Sequence, residues 1–512
     1  MTRNPLLNLL EKFNALDKEI YLMKCIAALL NWDTTVNMPI KASIQRAEQE
    51  SLISVRIHEL STSRKLVNLL KRLSQKKFYR KLSDTDRARV DLYNHLLKKT
   101  LKVPKKYVEE YSKAASLSHQ MWEESRKKES YETFASYLKK IFELKKQEAK
   151  YISPKTHPYN IFLDEFERDI TMNEIDAVFD GLKQELITLL KKIRNSPNYM
   201  SINKKRLAGF GSFPAGAQLE ICDDISRRII VDTGRFSSAE STHPFMVSLG
   251  ADDLRITTAV RSDPFFSFSS TAHEAGHALY ESNFDTKIRG TILVSDSIIS
   301  FAMHESQSRL WEKIICQSKY FWKGYYPYYS SIFLQLKKVR LEDFYKMINL
   351  VEPSLVRIEA DELTYSLHII IRYEIERGVL DGTIKFCDIE KTWNKKYAEY
   401  LGVTPSKPTE GVLQDSHWAS GLIGYFPTYT LGSIYAVMLY NQMKKENPQL
   451  EQDIEKLDFT FIRNWLKEHI HKYGASKTTK ELIRNACGKD LDVKEYVEYL
   501  KNKYYAIYGI RD

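Results

Sequence analysis

The chain has 512 residues, 43% of them hydrophobic and 28% charged, with a formal net charge of +11. That balance excludes a mainly disordered chain and leaves ample apolar material for a large core. Only 19 Gly and 15 Pro over this length argue against a turn-rich all-β architecture and for long helices. The Lys residues alternate with Glu, as in EKFNALDKEI and ELKKQEAK, which reads as solvated helix faces and gives no reason to expect a nucleic-acid partner. Five cysteines stand singly, at 25, 222, 316, 387 and 487, with no CxxC pair. A reducing compartment is expected, and any metal site should lack thiolates. No apolar signal region opens the sequence, and no run approaches the roughly 18 residues that span a bilayer. The expectation is a cytoplasmic protein without a membrane segment.

Along the chain, the first half reads as helical. After Pro104, the residues Val108, Tyr111, Ala115 and Trp122 recur at steps of one helical face. Phe134, Tyr137, Leu138, Ile141 and Phe142 form a wider apolar stripe, and Ile175 to Ile193 repeat the pattern. The stretch NYMSINKKRLAGFGSFPAG looks like a loop, which suggests an N-terminal helical lobe over 1–200 and a catalytic lobe over 201–512, working as one unit. Its GFGSFPAG segment carries Pro214 where a phosphate-binding loop needs glycine, so it reads as a turn. SRRIIVDTG and LRITTAV, short and β-branched, predict strands between residues 225 and 262. Helical periodicity then resumes to the C-terminus.

The chemistry centres on His273-Glu274-Ala275-Gly276-His277. Two imidazoles at i and i+4 lie on one helix face, where both can reach one tetrahedral zinc. The glutamate between them points aside and can take a proton from an activated water. A catalytic zinc usually has a third protein ligand. Asn283 stands where a third histidine of the longer HExxHxxGxxH pattern would fall. Ile298, Phe301, Ala302 and Glu305 fall at i, i+3, i+4 and i+7, which puts Glu305 on an apolar helix face. A carboxylate there is costly unless it binds metal or pairs with a cation, and Arg309 at i+4 is the alternative partner.

From about residue 240 onward the motifs resemble those of the carboxypeptidase Taq family of metallocarboxypeptidases. They are His243-Pro244-Phe245, Asp253-x-Arg255-x-Thr257, His273-Glu274-x-x-His277, Val356-Arg357-x-x-Ala360-Asp361 and Gly411-x-x-Gln414-Asp415-x-His417-Trp418. The stretch from His304 to Glu312, HESQSRLWE, also matches, and NWDTTVNMP near Trp32 agrees more loosely. The resemblance implies a mainly α, elongated helical zinc-peptidase fold with a deep central groove and a small β-sheet beside the HExxH helix. It implies a homodimer and metal-dependent removal of single C-terminal residues from peptides, with broad specificity that disfavours proline. One Zn2+ per chain, with Co2+ as an alternative, would be held by His273, His277 and Glu305, with Glu274 as general base. The sequence departs from the family at Ser237 and Ser238, where an aspartate is usual, and in the Pro/Gly-poor loop from Asp285 to Ser295.

Hydrolysis creates an oxyanion that needs preset donors. His417 and Tyr429 are the candidates, because HWASGLIGYFPTYTLG resembles the His- and Tyr-bearing helix of related metallopeptidases. For Tyr429 the alternative is core packing. The substrate's free C-terminal carboxylate calls for a guanidinium fork, and Arg255 and Arg357 both stand in family motifs. Either could form a structural ion pair, as Arg357 with Asp361 at i+4. His243 could touch substrate or fix a turn, and Gln414 and Tyr425 are further substrate-binding candidates. A competing activity on the same fold is an oligopeptidase or dipeptidyl carboxypeptidase. A competing class is a basic helical scaffold that binds nucleic acid beside a vestigial metal site.

Overall fold

A computed structural model describes residues 4–295 and 298–511. Its contacts divide the chain into two compact units. The first combines Met1–Leu101, Leu207–Leu341 and Leu439–Asp490, and the second combines Lys102–Arg206, Glu342–Met438 and Leu491–Asp512. The lobes expected from the sequence follow chain order, whereas these units interleave three stretches each. Among the described residues no helix is long and apolar enough to cross a membrane.

The first unit opens with the helix Pro5–Val36, with Pro5 in its first turn and Asn4 accepting the Leu6 N–H. Leu9, Phe13, Leu16 and Ile20 bury one stripe of it. The fully buried Asp17 accepts hydrogen bonds from Arg89, Tyr93 and the Ile292 N–H. That network ties the N-terminal helix to the segment that follows the HExxH helix.

A three-stranded sheet lies in the same unit: β1 (Phe236–Glu240), β2 (Met246–Gly250) and β3 (Asp253–Thr258). Its order is β1-β3-β2, with β1 parallel and β2 antiparallel to β3. LRITTAV forms β3 as expected. SRRIIVDTG does not form a strand: the helix Ala215–Ile229 runs into it, and its Ile225 and Ile229 are buried one turn apart. Helical burial of alternate turns outcompetes β-branched propensity there.

The helix Pro264–Ser282 packs on β2 and β3 and carries the HExxH sequence. Asp263 accepts the Phe265 N–H and Pro264 fills the first turn, so the start is sharply defined. Almost every residue of this helix is buried, which accounts for its lack of Lys/Glu surface pattern. The helix Phe301–Arg309 follows, capped by Ser300, and continues into a π-helical turn, Leu310–Ile315.

The second unit contains the helices Lys105–Lys128, Tyr131–Ile152, Met172–Arg194, Tyr365–Asp381 and Val493–Tyr508. The stripe expected around Phe134 is buried at Phe134, Leu138, Ile141 and Phe142. The 172–194 helix opens on a Thr171/Glu174 capping box and buries Ile175 through Ile193 along one face. In the 105–128 helix the buried face is rotated by one residue. Val108 is 45% exposed and Tyr107 takes its place, with its hydroxyl donating to the Leu144 carbonyl. An aromatic ring with a reachable acceptor fills that core position better than valine.

Candidate metal and peptidase site

The first unit brings His273, His277 and Glu305 together. The two histidines sit one turn apart on the 264–282 helix, and Glu305 comes from the 301–309 helix. Each imidazole Nε2 lies 3.6 Å from Glu305 Oε2, and one ligand atom from each residue lies within 4.8 Å of the others. A tetrahedral ion with bonds of about 2.1 Å sets its ligands about 3.4 Å apart, so this donor set fits one divalent cation. Glu305 is 8% exposed and faces the imidazoles. Arg309, the cation considered for it, reaches Glu312 at 3.2 Å.

Close helix packing makes this convergence possible. A Cβ on Gly276 would lie 2.7 Å from the Gln307 carbonyl oxygen and 2.9 Å from the Ser308 Cα. Glycine within the HExxH sequence therefore lets the two ligand-bearing helices touch backbone to backbone. Behind them, His471 Nε2 is 2.8 Å from Gln307 Oε1 and its Nδ1 is 3.0 Å from the Asn283 amide. Asn283 thus fastens the helix end rather than serving a metal.

Each candidate ligand histidine has its own partner behind it. His273 Nδ1 is 2.9 Å from Glu312 Oε2, and Glu312 is also held by Arg309, Lys313 and the Ser269 hydroxyl. His277 Nδ1 is 2.5 Å from His304 Nδ1, and His304 Nε2 is 2.9 Å from Glu281 Oε1. Burial acts to lower the His273 imidazole, but Glu305 and Glu312 outweigh it and hold it up at about 9. Glu274 is 7% exposed, and burial pushes its carboxyl up to about 7. Burial would also raise Glu312, yet Lys313 and Arg309 hold it well below the usual carboxylate range.

The remaining candidates in this unit are His243 and Arg255. His243 is exposed, and its backbone carbonyl accepts the Ser241 hydroxyl. The neighbouring Phe245 pairs with Thr257 through backbone and hydroxyl and packs on Trp32, so His-Pro-Phe forms a turn fixed to β3. Arg255 makes a two-pronged ion pair with Asp253, at 2.9 Å for both bonds, and lies over the Trp32 ring.

The second unit assembles the other five. Arg357 is 6% exposed and bonds Asp415 Oδ1 through Nε and Nη2, at 3.0 and 2.8 Å. Its ion-pair partner is Asp415, not the Asp361 considered from the i+4 spacing. Asp361 is instead occupied by the N–H groups of Glu352, Leu363 and Thr364. Asp415 Oδ2 accepts from the fully buried Arg372. Gln414 takes the Arg357 N–H and an Arg372 Nη2 proton on its carbonyl oxygen, and donates to the Leu355 and Glu410 carbonyls. Its amide is therefore committed to the protein. His417 Nε2 lies 3.3 Å from the Tyr429 hydroxyl, and the Tyr425 ring is 5.3 Å from both rings. Burial outweighs Asp415 and lowers the His417 imidazole to about 4, so it is neutral near pH 7.

Sequence reasoning missed several residues on these clusters. His304 and Glu312 stand within HESQSRLWE, beside and seven residues beyond Glu305, so their positions carried a signal. Glu281 lies one helical turn beyond His277. Arg372 and Glu376 gave no sequence signal. Glu376 accepts from Trp418 Nε1, the Tyr159 hydroxyl and the Gly424 N–H, which anchors the segment bearing His417 and Tyr425.

A model of the carboxypeptidase Taq (M32) metallopeptidase family matches residues 12–504. Carboxypeptidase 1 of Bacillus subtilis (strain 168) is 36% identical over 489 residues, covering 94% of this chain and 95% of that one. Thermostable carboxypeptidase 1 of Pyrococcus furiosus is 34% identical over 494 residues, covering 93% and 94%. The crystal structure of the M32 carboxypeptidase from Deinococcus radiodurans R1 superposes with a TM-score of 0.92 at 32% identity, covering 98% of this chain and all of that one. With a histidine pair and a glutamate converging as a metallopeptidase requires, the chain belongs to the carboxypeptidase Taq (M32) family of metallopeptidases and is a peptide hydrolase.

Proposed function

We propose that the protein releases single C-terminal residues from peptides with broad specificity, using one zinc or cobalt ion per chain held by His273, His277 and Glu305. The observation that carries this reading is the convergence of both imidazole Nε2 atoms on Glu305 Oε2, at 3.6 Å each. A divalent ion there supplies Lewis acidity and lowers the pKa of water toward about 7. Glu274 takes the proton from the attacking water and returns it to the leaving amine. His417, neutral, and Tyr429 donate hydrogen bonds to the oxyanion. Tyr425 holds the His417 ring by tilted ring packing, and His243 shapes the substrate path through its turn. The homodimer and the absence of a nucleic-acid partner are carried over from the resemblance and the charge pattern. Sedimentation of the purified protein checks the first.

We assign recognition of the terminal carboxylate to Arg357, supported by Gln414 behind it. The support is how the carboxylates are shared. Arg357 and Arg372 contact one carboxylate between them, Asp415, while the Glu376 carboxyl acts on Arg372 without contact. Arg255 is matched one to one by Asp253. A buried guanidinium that shares its carboxylate partner is a strong hydrogen-bond donor to a desolvated carboxylate. The experiment compares free-acid and amidated forms of one peptide against wild type, Arg357→Ala and Arg255→Ala. Arg357→Ala should cost roughly 2–5 kcal/mol in kcat/KM on the free acid. It should also abolish discrimination between the two peptides, because both changes remove one interaction. Arg255→Ala should leave that ratio intact. A ratio unchanged in Arg357→Ala overturns the assignment, and internal cleavage of the amidated peptide favours an oligopeptidase.

A further inference from the structure

The two candidate ligand histidines are backed differently, and the difference fixes where protons sit. A histidine that offers Nε2 to a cation carries its proton on Nδ1 and must donate it. For His273 the acceptor is the Glu312 carboxylate, 2.9 Å away. For His277 the atom behind Nδ1 is another imidazole nitrogen, His304 Nδ1, at 2.5 Å. Two Nδ1 atoms facing each other need one donor and one acceptor. His277 must donate, so His304 Nδ1 is bare and its proton lies on Nε2. That nitrogen is 2.9 Å from Oε1 of Glu281, a side chain 3% exposed on the same helix as His277. In the chain His277–His304–Glu281, one donor then faces one acceptor at each of the two contacts. His304 has no freedom to turn away. It is half-buried, its ring lies 4.5 Å from His277 and 5.2 Å edge-on from Tyr280, and the next residue is Glu305.

We propose that His304 is a positioning residue of the metal site, a neutral imidazole relay that accepts the His277 Nδ1 proton and hands its own Nε2 proton to Glu281, locking His277 in the metal-binding tautomer. The proposal deepens the metal reading above and rests on it. One residue before Glu305, His304 also couples the orientation of the third ligand to that of the second. Substitutions of such partners typically cost 10–100-fold in metal affinity.

Three measurements test it. The first is zinc affinity by chelator competition. His304→Phe keeps a ring but cannot accept, and should lose affinity by about 10–100-fold. His304→Gln can accept from His277 through Oε1 and donate to Glu281 through Nε2, and should recover to within a few-fold of wild type. The second is thermal unfolding of the metal-free proteins. His304→Gln should match wild type there, because the amide keeps an acceptor toward His277 and a donor toward Glu281. The third needs no folded Phe variant. In zinc-loaded wild type labelled with 15N-histidine, the signals lost in His304→Gln should be those of a neutral Nε2–H tautomer. Equal affinity in His304→Phe and wild type, or equal loss in Phe and Gln, or an Nδ1–H or doubly protonated His304, each overturns the relay. Failure of the underlying reading looks different: Glu305→Ala would then bind zinc as wild type does.

Discussion

Glu274 is the residue on which turnover is expected to depend most steeply. It follows His273 directly and is nearly buried, and burial lifts its carboxyl to about 7 without a metal. A bound cation favours the carboxylate form, which is the form a base needs. Glu274→Gln keeps the volume and removes the proton acceptor. Turnover of a blocked dipeptide should fall at least about 100-fold while metal content and unfolding temperature stay at wild-type values. Retention of more than about a hundredth of the wild-type rate would remove Glu274 from its role. Asp415 shows the same logic of burial against charge in the opposite sense. Burial raises it, but Arg357 and Arg372 prevail and hold it well below the usual carboxylate range. It is the carboxylate that both guanidiniums contact.

At the scale of elements, the convergence of His273, His277 and Glu305 is a property of two helices in backbone contact. Gly276→Ala places a methyl 2.7 Å from the Gln307 carbonyl oxygen, and neither backbone can yield without moving its helix. Overpacking of this kind typically costs about 1–3 kcal/mol. Both the unfolding free energy of the metal-free protein and its zinc affinity should fall, and an unchanged zinc affinity would show that helix spacing does not set the site. The same helix pair is fastened by His471, whose imidazole burial lowers to about 3. A lowered imidazole stabilises the fold fully above the unfolded value near 6.5 and loses that contribution as pH falls toward 3. The full window is worth up to roughly 5 kcal/mol. His471→Gln can keep one donor and one acceptor without titrating. Denaturant unfolding of the metal-free proteins should show wild type losing its advantage over His471→Gln between pH 7 and 5. A gap independent of pH would mean that His471 is not buried neutral.

At the scale of the whole molecule, what could be read from residues and what could not have separate physical causes. The HExxH spacing was legible because helical periodicity is short-range: i and i+4 project side chains onto one face whatever the rest of the chain does. For Glu305 the reading holds only in part, since Ile298 lies ahead of the helix Phe301–Arg309 and only Phe301 and Ala302 share that helix with it. The buried stripe at Phe134 to Phe142 was legible from the same short-range periodicity. Partners set by tertiary packing were not. Asp415 lies 58 residues from Arg357 and takes the place of the nearby Asp361. The π-helical turn at Leu310–Ile315 follows a segment whose α-periodicity gives no warning of it, and it carries Glu312 to His273. β1, FSSAE, has little strand propensity and exists because β3 offers it a parallel edge. Interleaving of three stretches into each unit is likewise invisible to local pattern. On the proposed function, peptide hydrolysis depends on one divalent ion held by His273, His277 and Glu305 from two helices. The most direct test is metal content per chain, measured with hydrolysis of a blocked dipeptide, in wild type and Glu305→Ala. One divalent ion is expected in wild type, with loss of both ion and activity in the variant; a variant that keeps its metal at wild-type stoichiometry would overturn the ligand assignment.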